Sequence, residues 1–237
     1  MGAAIVTLRE GFEAALIVVI VLAFLKRTER SVDTRPVWIG VAAGVGVTAA
    51  AAAALLLVGA ELEGRSEAIF EGVTMIVAAA LLTWMIFWMR GRAGSLKGDL
   101  ERQVGEALAA GSGLALASVV FVGVAREGLE TALLLFSSFG TEGDVAAGIG
   151  ATLGLVAAVV LAFLLYKGIH RLDMRRFFQV TSVLLLVFAA WLLAGGLEEL
   201  GEAGALPEGE GVAWLAFAAL AAPTLYFFFR RPARARA

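Results

Sequence analysis

Seven long apolar stretches take up most of this 237-residue chain and restrict it to one broad class of fold. A helix needs about 20 mostly apolar residues to cross the hydrocarbon core of a bilayer, and each stretch is close to that length. They cover residues 2–25, 37–60, 68–89, 114–137, 145–166, 177–197 and 212–229. The sequence therefore predicts an all-α integral membrane protein with seven transmembrane helices.

The charges between the stretches predict how the chain is oriented. Sixteen Lys and Arg residues lie in alternate connections and in the C-terminal tail, against one in the remaining connections. Because positive loops stay in the cytoplasm, we expect the N-terminus on the outer side of the cytoplasmic (inner) membrane and the C-terminus in the cytoplasm. The predicted outer connections are acidic, and we expect Glu199 and Glu202 in the last of them to attract cations.

A five-residue motif occurs twice inside these apolar stretches. Arg-Glu-Gly-Phe-Glu covers residues 9–13, and Arg-Glu-Gly-Leu-Glu covers residues 126–130, 117 positions later. A charged side chain at the centre of a membrane helix costs ~2.5–3.5 kcal/mol unless it faces a protein interior or a wet cavity. Six such charges predict a polar path through the protein.

The spacing within each motif predicts which charges remain unpaired. On a helix the three charged residues share about a quarter of the circumference. The arginine can pair with the glutamate four positions later, which leaves the first glutamate, Glu10 or Glu127, without a local partner. The central glycine costs the helix about 1 kcal/mol relative to alanine, which predicts a close approach by an ion or another helix.

The position of the two motifs predicts an internal duplication. They lie in the first and fourth stretches, which would cross the membrane in opposite directions, so we expect an inverted repeat of residues 1–90 and 112–198. We expect a seventh helix, 212–229, to complete a single membrane domain spanning 1–237. Apolar residues four positions apart within 90–112 predict a short amphipathic helix between the repeats.

The available donor atoms predict the chemistry of the polar path. The chain has no cysteine, and its one histidine, His170, lies in a basic connection. Oxygen ligands suit hard cations, whereas zinc and copper sites use nitrogen and sulfur. Glu71, just inside the third stretch, is expected to line the same cavity as the motifs.

Several of these segments together resemble a known family. They are the two motifs, the Phe-Glu-Gly sequence at 70–72 and the Leu-Thr-Trp-Met-Ile-Phe-Trp-Met-Arg sequence at 82–90. The chain resembles the oxidase-dependent iron transporter family over nearly its whole length. That family includes the bacterial ferrous-iron permeases of the Efe system and their fungal high-affinity relatives.

The resemblance implies a function and a site. It implies iron import after extracytoplasmic oxidation of Fe(II) to Fe(III), with a haem peroxidase or other oxidase and a periplasmic cupredoxin-type protein as partners. Iron is then the cargo, and we expect no organic cofactor and no nucleic-acid partner. The implied metal ligands are Glu10, Glu13, Glu127 and Glu130, organised by Arg9 and Arg126.

Two other functions fit the same residues. Carboxylate sites rank metals weakly, so another cation such as Mn(II) or Pb(II) is an alternative cargo. An intramembrane di-iron enzyme is a second alternative, but helical di-iron sites use Glu-x-x-His on two helices and no histidine lies in any apolar stretch. The sequence therefore favours a transporter.

Overall fold

The computed structural model describes residues 1–28, 33–92, 96–167, 174–205 and 210–229. Within these ranges every regular element is a helix, which confirms the all-α prediction. The helices are α1 (Gly2–Arg27), α2 (Arg35–Glu61), α3 (Arg65–Arg92), α4 (Leu96–Ala109), α5 (Gly113–Glu142), α6 (Asp144–Tyr166), α7 (Met174–Glu202) and α8 (Glu210–Phe229).

The helices follow the apolar stretches but run past some of their ends. Each predicted stretch lies within one helix, and α4 is the amphipathic helix predicted between the repeats. Helix α5 continues past residue 137 because the Ser137 and Ser138 hydroxyls donate to the carbonyls of Leu133 and Leu134, at 3.1 and 2.8 Å. Polar side chains satisfied in this way do not end a helix.

Four of the described helices are long and apolar enough, by length and composition, to cross a membrane. They are α2, most of α3 and α7, and Val145–Tyr166 of α6. Helices α1 and α5 are as long but each contains the three charges of a motif, while α8 offers a shorter apolar run, Trp214–Thr224. The chain is therefore a multi-pass membrane protein, and the number of crossings stays a prediction.

Glycines let α2 pack closely on α5. A β-carbon at Gly40 would lie 3.0 Å from Cβ of Val120, and one at Gly44 would lie 2.9 Å from Cγ1 of Val124. In the absence of a hydrophobic force between helices in lipid, such small residues allow the backbones to approach. The two helices run in the same direction along this contact.

The same arrangement joins α6 to α1. A β-carbon at Gly150 would lie 3.3 Å from the backbone nitrogen of Ala4, and one at Gly154 would lie 2.9 Å from the backbone nitrogen of Leu8. The Thr7 hydroxyl also donates across this interface to the Ala151 carbonyl, at 3.0 Å. The four-residue spacing of Gly40 with Gly44, and of Gly150 with Gly154, predicts helix packing from the sequence alone, and the structure confirms it.

Helices α3 and α7 pack in opposite directions around a pair of glycines. A β-carbon at Gly72 would lie 2.8 Å from the carbonyl oxygen of Gly196, and the converse distance is 2.7 Å. Gly72 also faces Leu200, whereas Gly196 faces Ile76, which makes the pair antiparallel. Any larger side chain here would push the two helices apart.

The main helix contacts form a set that can be exchanged between the two halves. Helix α2 of the first half packs on α5 of the second half, and in the same way α6 of the second half packs on α1 of the first half. Two further contacts, of α1 with α5 and of α3 with α7, join corresponding helices of the two halves. Exchanging α1–α3 for α5–α7 therefore leaves this set unchanged. This is the pairing that an inverted repeat requires.

Candidate metal centre

The two motifs face each other where α1 and α5 meet. Carboxylate oxygens of Glu10, Glu127 and Glu130 lie within 4.8 Å of one another. Glu10 and Glu127 are buried, and Glu130 is partly buried. Three acidic side chains from opposing helices thus form a single carboxylate cluster.

Several oxygens of this cluster are buried without a hydrogen-bond partner. Both carboxylate oxygens of Glu10 and Oε2 of Glu127 have no partner among the described residues. A buried polar atom left unpaired costs about 1–3 kcal/mol, and more when the group is charged. Oxygens gathered in this way are suited to coordinate a hard cation, which would supply the missing interactions.

Arg9 and Glu13 form a buried pair beside the cluster. Nε of Arg9 donates to Oε1 of Glu13 at 3.0 Å, as the four-residue spacing predicted. The guanidinium also contacts Sδ of Met89 on α3 at 3.1 Å, and Arg9 has no exposed surface. Glu13 is thereby held outside the carboxylate cluster that contains the other three motif glutamates.

Arg126 behaves differently from Arg9. Its Nε and Nη2 both donate to Oε1 of Glu127, while Glu130 lies farther away, with 3.8 Å between Nε and Oε1. The expectation that Glu127 has no local partner is therefore wrong. The Arg126 side chain is 48% exposed, and this freedom lets it bend onto the neighbouring glutamate.

The motif glycines serve the packing of partner helices. A β-carbon at Gly11 would lie 3.3 Å from Cβ of Ala158 on α6, and one at Gly128 would lie 2.9 Å from Cβ of Thr48 on α2. The sequence predicted that an ion or another helix comes close to each motif glycine, and the structure shows another helix at both. The glycines bring α2 and α6 against the helices that carry the carboxylates.

A cavity of about 520 Å³ leads from the motifs towards α4. Its deep part is lined by Glu13, Arg126 and Glu127, and its wall follows α5 from Ser118 to Glu127, about 13 Å along the helix. Asp99 of α4 also lines it. Glu127 belongs to both the cavity and the carboxylate cluster, so it connects the two.

Comparison with known proteins identifies the family. Residues 1–219 match the iron permease FTR1 family. The ferrous iron permease EfeU of Escherichia coli O6:K15:H31 is 41% identical over 202 residues, covering 84% of this chain and 73% of the relative. EfeU of Yersinia pestis is 39% identical, covering 84% and 72%.

The chain belongs to the iron permease FTR1 family. Its relatives are named as permeases, so this is a transport protein and not an enzyme. A relative from Escherichia coli K12, also 41% identical, is named a putative inactive ferrous iron permease EfeU. No solved structure matches the chain.

The three predicted glutamates outside the motifs lie apart from the carboxylate cluster. Glu71 is absent from the residues that line the cavity and from the carboxylate cluster, in contrast to the expectation that it lines the same cavity. It precedes Met89 by 18 positions on α3, which is about 27 Å along the helix. Glu71 instead lies near Glu199 of α7, and Glu202 follows one turn later.

Two residues of α3 contact the motifs and were not predicted as part of the site. Met89 contacts Arg9, and the Trp88 ring lies 5.5 Å from the Arg126 guanidinium carbon. From its position near the cytoplasmic end of the third apolar stretch, the sequence predicts only that Trp88 lies near the membrane surface. His170 falls outside the described residues.

Proposed function

We propose that this family member imports iron across the cytoplasmic membrane through a carboxylate site between α1 and α5. The observation that carries the proposal is the cluster of Glu10, Glu127 and Glu130. Three of its buried oxygens have no hydrogen-bond partner among the described residues. Iron is the cargo named for the family and its relatives, and carboxylates are suitable ligands for it.

The four motif glutamates have different roles in this proposal. Glu10, Glu127 and Glu130 hold the ion at the cluster, and Arg9 fixes the position of Glu13. Since Glu13 lines the cavity beside Glu127, it receives the ion as it leaves the cluster. Glu71, Glu199 and Glu202 lie apart from the cluster and attract cations before they enter.

The proposed path depends on seven crossings with the N-terminus outside. The uneven distribution of Lys and Arg and the exchangeable helix contacts support this inverted-repeat arrangement. The cavity then opens to the cytoplasm, and the cluster lies between it and the outer surface. A membrane potential of 100 mV, negative inside, would favour entry of a triply charged ion by roughly 7 kcal/mol.

Oxidation of Fe(II) to Fe(III) outside the membrane completes the proposal. It rests on the family resemblance, which also implies an oxidase or peroxidase and a cupredoxin-type protein as partners. Measuring uptake of Fe(II) and Fe(III) separately, with and without an added oxidase, would test this step.

Radiolabelled iron uptake into proteoliposomes tests the site. We expect Glu10→Gln and Glu127→Gln each to lower the initial rate at least about tenfold, since each removes a charged ligand worth about 1.5–3 kcal/mol. Each change keeps the shape of the side chain, which limits effects on folding.

Glu106→Gln is the matched control, because Glu106 is an exposed carboxylate of α4 outside the cluster and the cavity lining. Its uptake should equal that of the wild type. Full uptake in both site variants would refute the assignment. Competition by Mn(II) or Pb(II) in the same assay would show whether iron is preferred.

A further inference from the structure

The two motif arginines differ in their freedom to move. Arg9 has no exposed surface and is held by Glu13 and Met89. Arg126 is 48% exposed and borders the 520 Å³ cavity. Of the two positions, only that of Arg126 has open space beside it into which the side chain can turn.

Arg126 occupies a ligand that the ion would need. Two of its nitrogens donate to one oxygen of Glu127, and Nε lies 3.8 Å from Oε1 of Glu130. A cation bound by these two carboxylates would lie within a few ångströms of the guanidinium. Like charges at that distance repel strongly in a partly desolvated site, so a cation bound through the unpartnered Oε2 of Glu127 would drive Arg126 away from Oε1.

Trp88 offers the displaced guanidinium a second position. Its ring centroid is 5.5 Å from the guanidinium carbon, near the outer limit of about 6 Å for a cation–π contact, so Arg126 can move closer. Trp88 lies on the cavity wall and stacks on Trp84, with centroids 6.1 Å apart and an angle of 28°. This stacking holds the ring in place.

On the basis of the proposed function, we propose that Arg126 is a displaceable counterion and Trp88 its positioning residue. Without a cation, Arg126 neutralises Glu127 and Glu130. When a cation binds, Arg126 leaves Glu127 and moves onto the Trp88 ring. When the cation passes into the cavity, Arg126 returns to Glu127 and hinders rebinding from that side.

Equilibrium binding of radiolabelled Fe(III), supplied as its citrate complex, to the purified full-length protein tests this inference. Arg126→Gln removes the competing charge, so we expect binding about tenfold tighter. Trp88→Leu removes the second position, so we expect binding about three- to tenfold weaker. If Trp88 acts only through Arg126, then Trp88→Leu should have no effect in the Arg126→Gln protein.

Matched variants separate positioning from packing. Trp191→Leu changes the same residue type on the exposed face of α7, away from the cavity lining and from Trp88, and should bind as the wild type does. Trp88→Phe keeps an aromatic face and should recover most of the affinity lost in Trp88→Leu. If Arg126→Gln does not fold, equal affinities of the Trp88→Leu and Trp191→Leu proteins would overturn the inference.

The same measurement distinguishes this inference from the proposed function. Weaker binding in Arg126→Gln, with binding abolished in Glu127→Gln, would overturn the counterion role and leave the iron site intact. Unchanged binding in Glu127→Gln, or no binding by the wild type, would instead refute the site itself and the inference with it.

Discussion

Arg9 is a fully buried charge that, among the described residues, is held by a single close carboxylate, that of Glu13. Breaking a buried ion pair by removing one partner typically costs about 3–5 kcal/mol, because the other charge stays buried. We therefore expect Arg9→Leu to lower the thermal unfolding midpoint of the purified protein clearly.

A second change at the partner position checks this explanation. Adding Glu13→Gln to Arg9→Leu removes the uncompensated charge and should restore a large part of the lost stability. If the double variant is less stable than Arg9→Leu, the pair does not stabilise the protein in the way described.

The residues of the site could be predicted from the sequence only in part. The pair of Arg9 and Glu13 follows from a four-residue spacing on one helix. The contact of Arg126 with Glu127 does not, because adjacent helical residues do not face each other and the contact depends on the open cavity. The role of Trp88 likewise depends on where the end of α3 lies against α1 and α5.

The contact between α3 and α7 is the element most sensitive to side-chain size. At Gly196 a leucine would meet the Gly72 backbone, which cannot move as a flexible side chain can. Overpacking typically costs about 1–3 kcal/mol, and we expect at least that loss for Gly196→Leu, measured as thermal stability in detergent.

Gly46 of α2 provides the control for this change. An added β-carbon there has nothing within 4 Å among the described residues. Gly46→Leu should therefore leave the stability nearly unchanged. Equal losses in the two variants would point to a general effect of leucine in place of helical glycine.

The sequence predicted the helices themselves better than it predicted which helices pack against each other. The spacing of Gly40 with Gly44, and of Gly150 with Gly154, identified packing surfaces within single helices. The meeting of Gly72 with Gly196 joins residues 124 positions apart, and no local pattern connects them. Such pairs become visible only when the helices are assembled.

The absence of cysteine makes the orientation of the whole molecule directly testable. Ser66→Cys introduces one thiol at the exposed start of α3, and Ser118→Cys introduces one in the cavity lining. A membrane-impermeant thiol reagent should label the first only from outside and the second only from the cytoplasm. The reverse pattern would contradict the proposed orientation.

The overall architecture could be predicted from the sequence more fully than the helix contacts or the residues of the site. Long apolar stretches determine an all-helical membrane protein, since backbone polar groups in lipid must be satisfied within the helix. The sequence also placed the motifs on helices that meet. It did not show that Glu71 and Glu199 lie together, apart from the cluster, because their depth depends on how α3 and α7 cross.

The carboxylate cluster draws Glu10 from α1 and both Glu127 and Glu130 from α5. A gene cut after α4 would therefore encode two fragments, neither of which contains a complete ligand set. Iron retention would return only when the fragments are co-expressed and reassemble. Under the proposed inverted repeat, a single half would have to pair with a second copy of itself to offer carboxylates from two opposing helices.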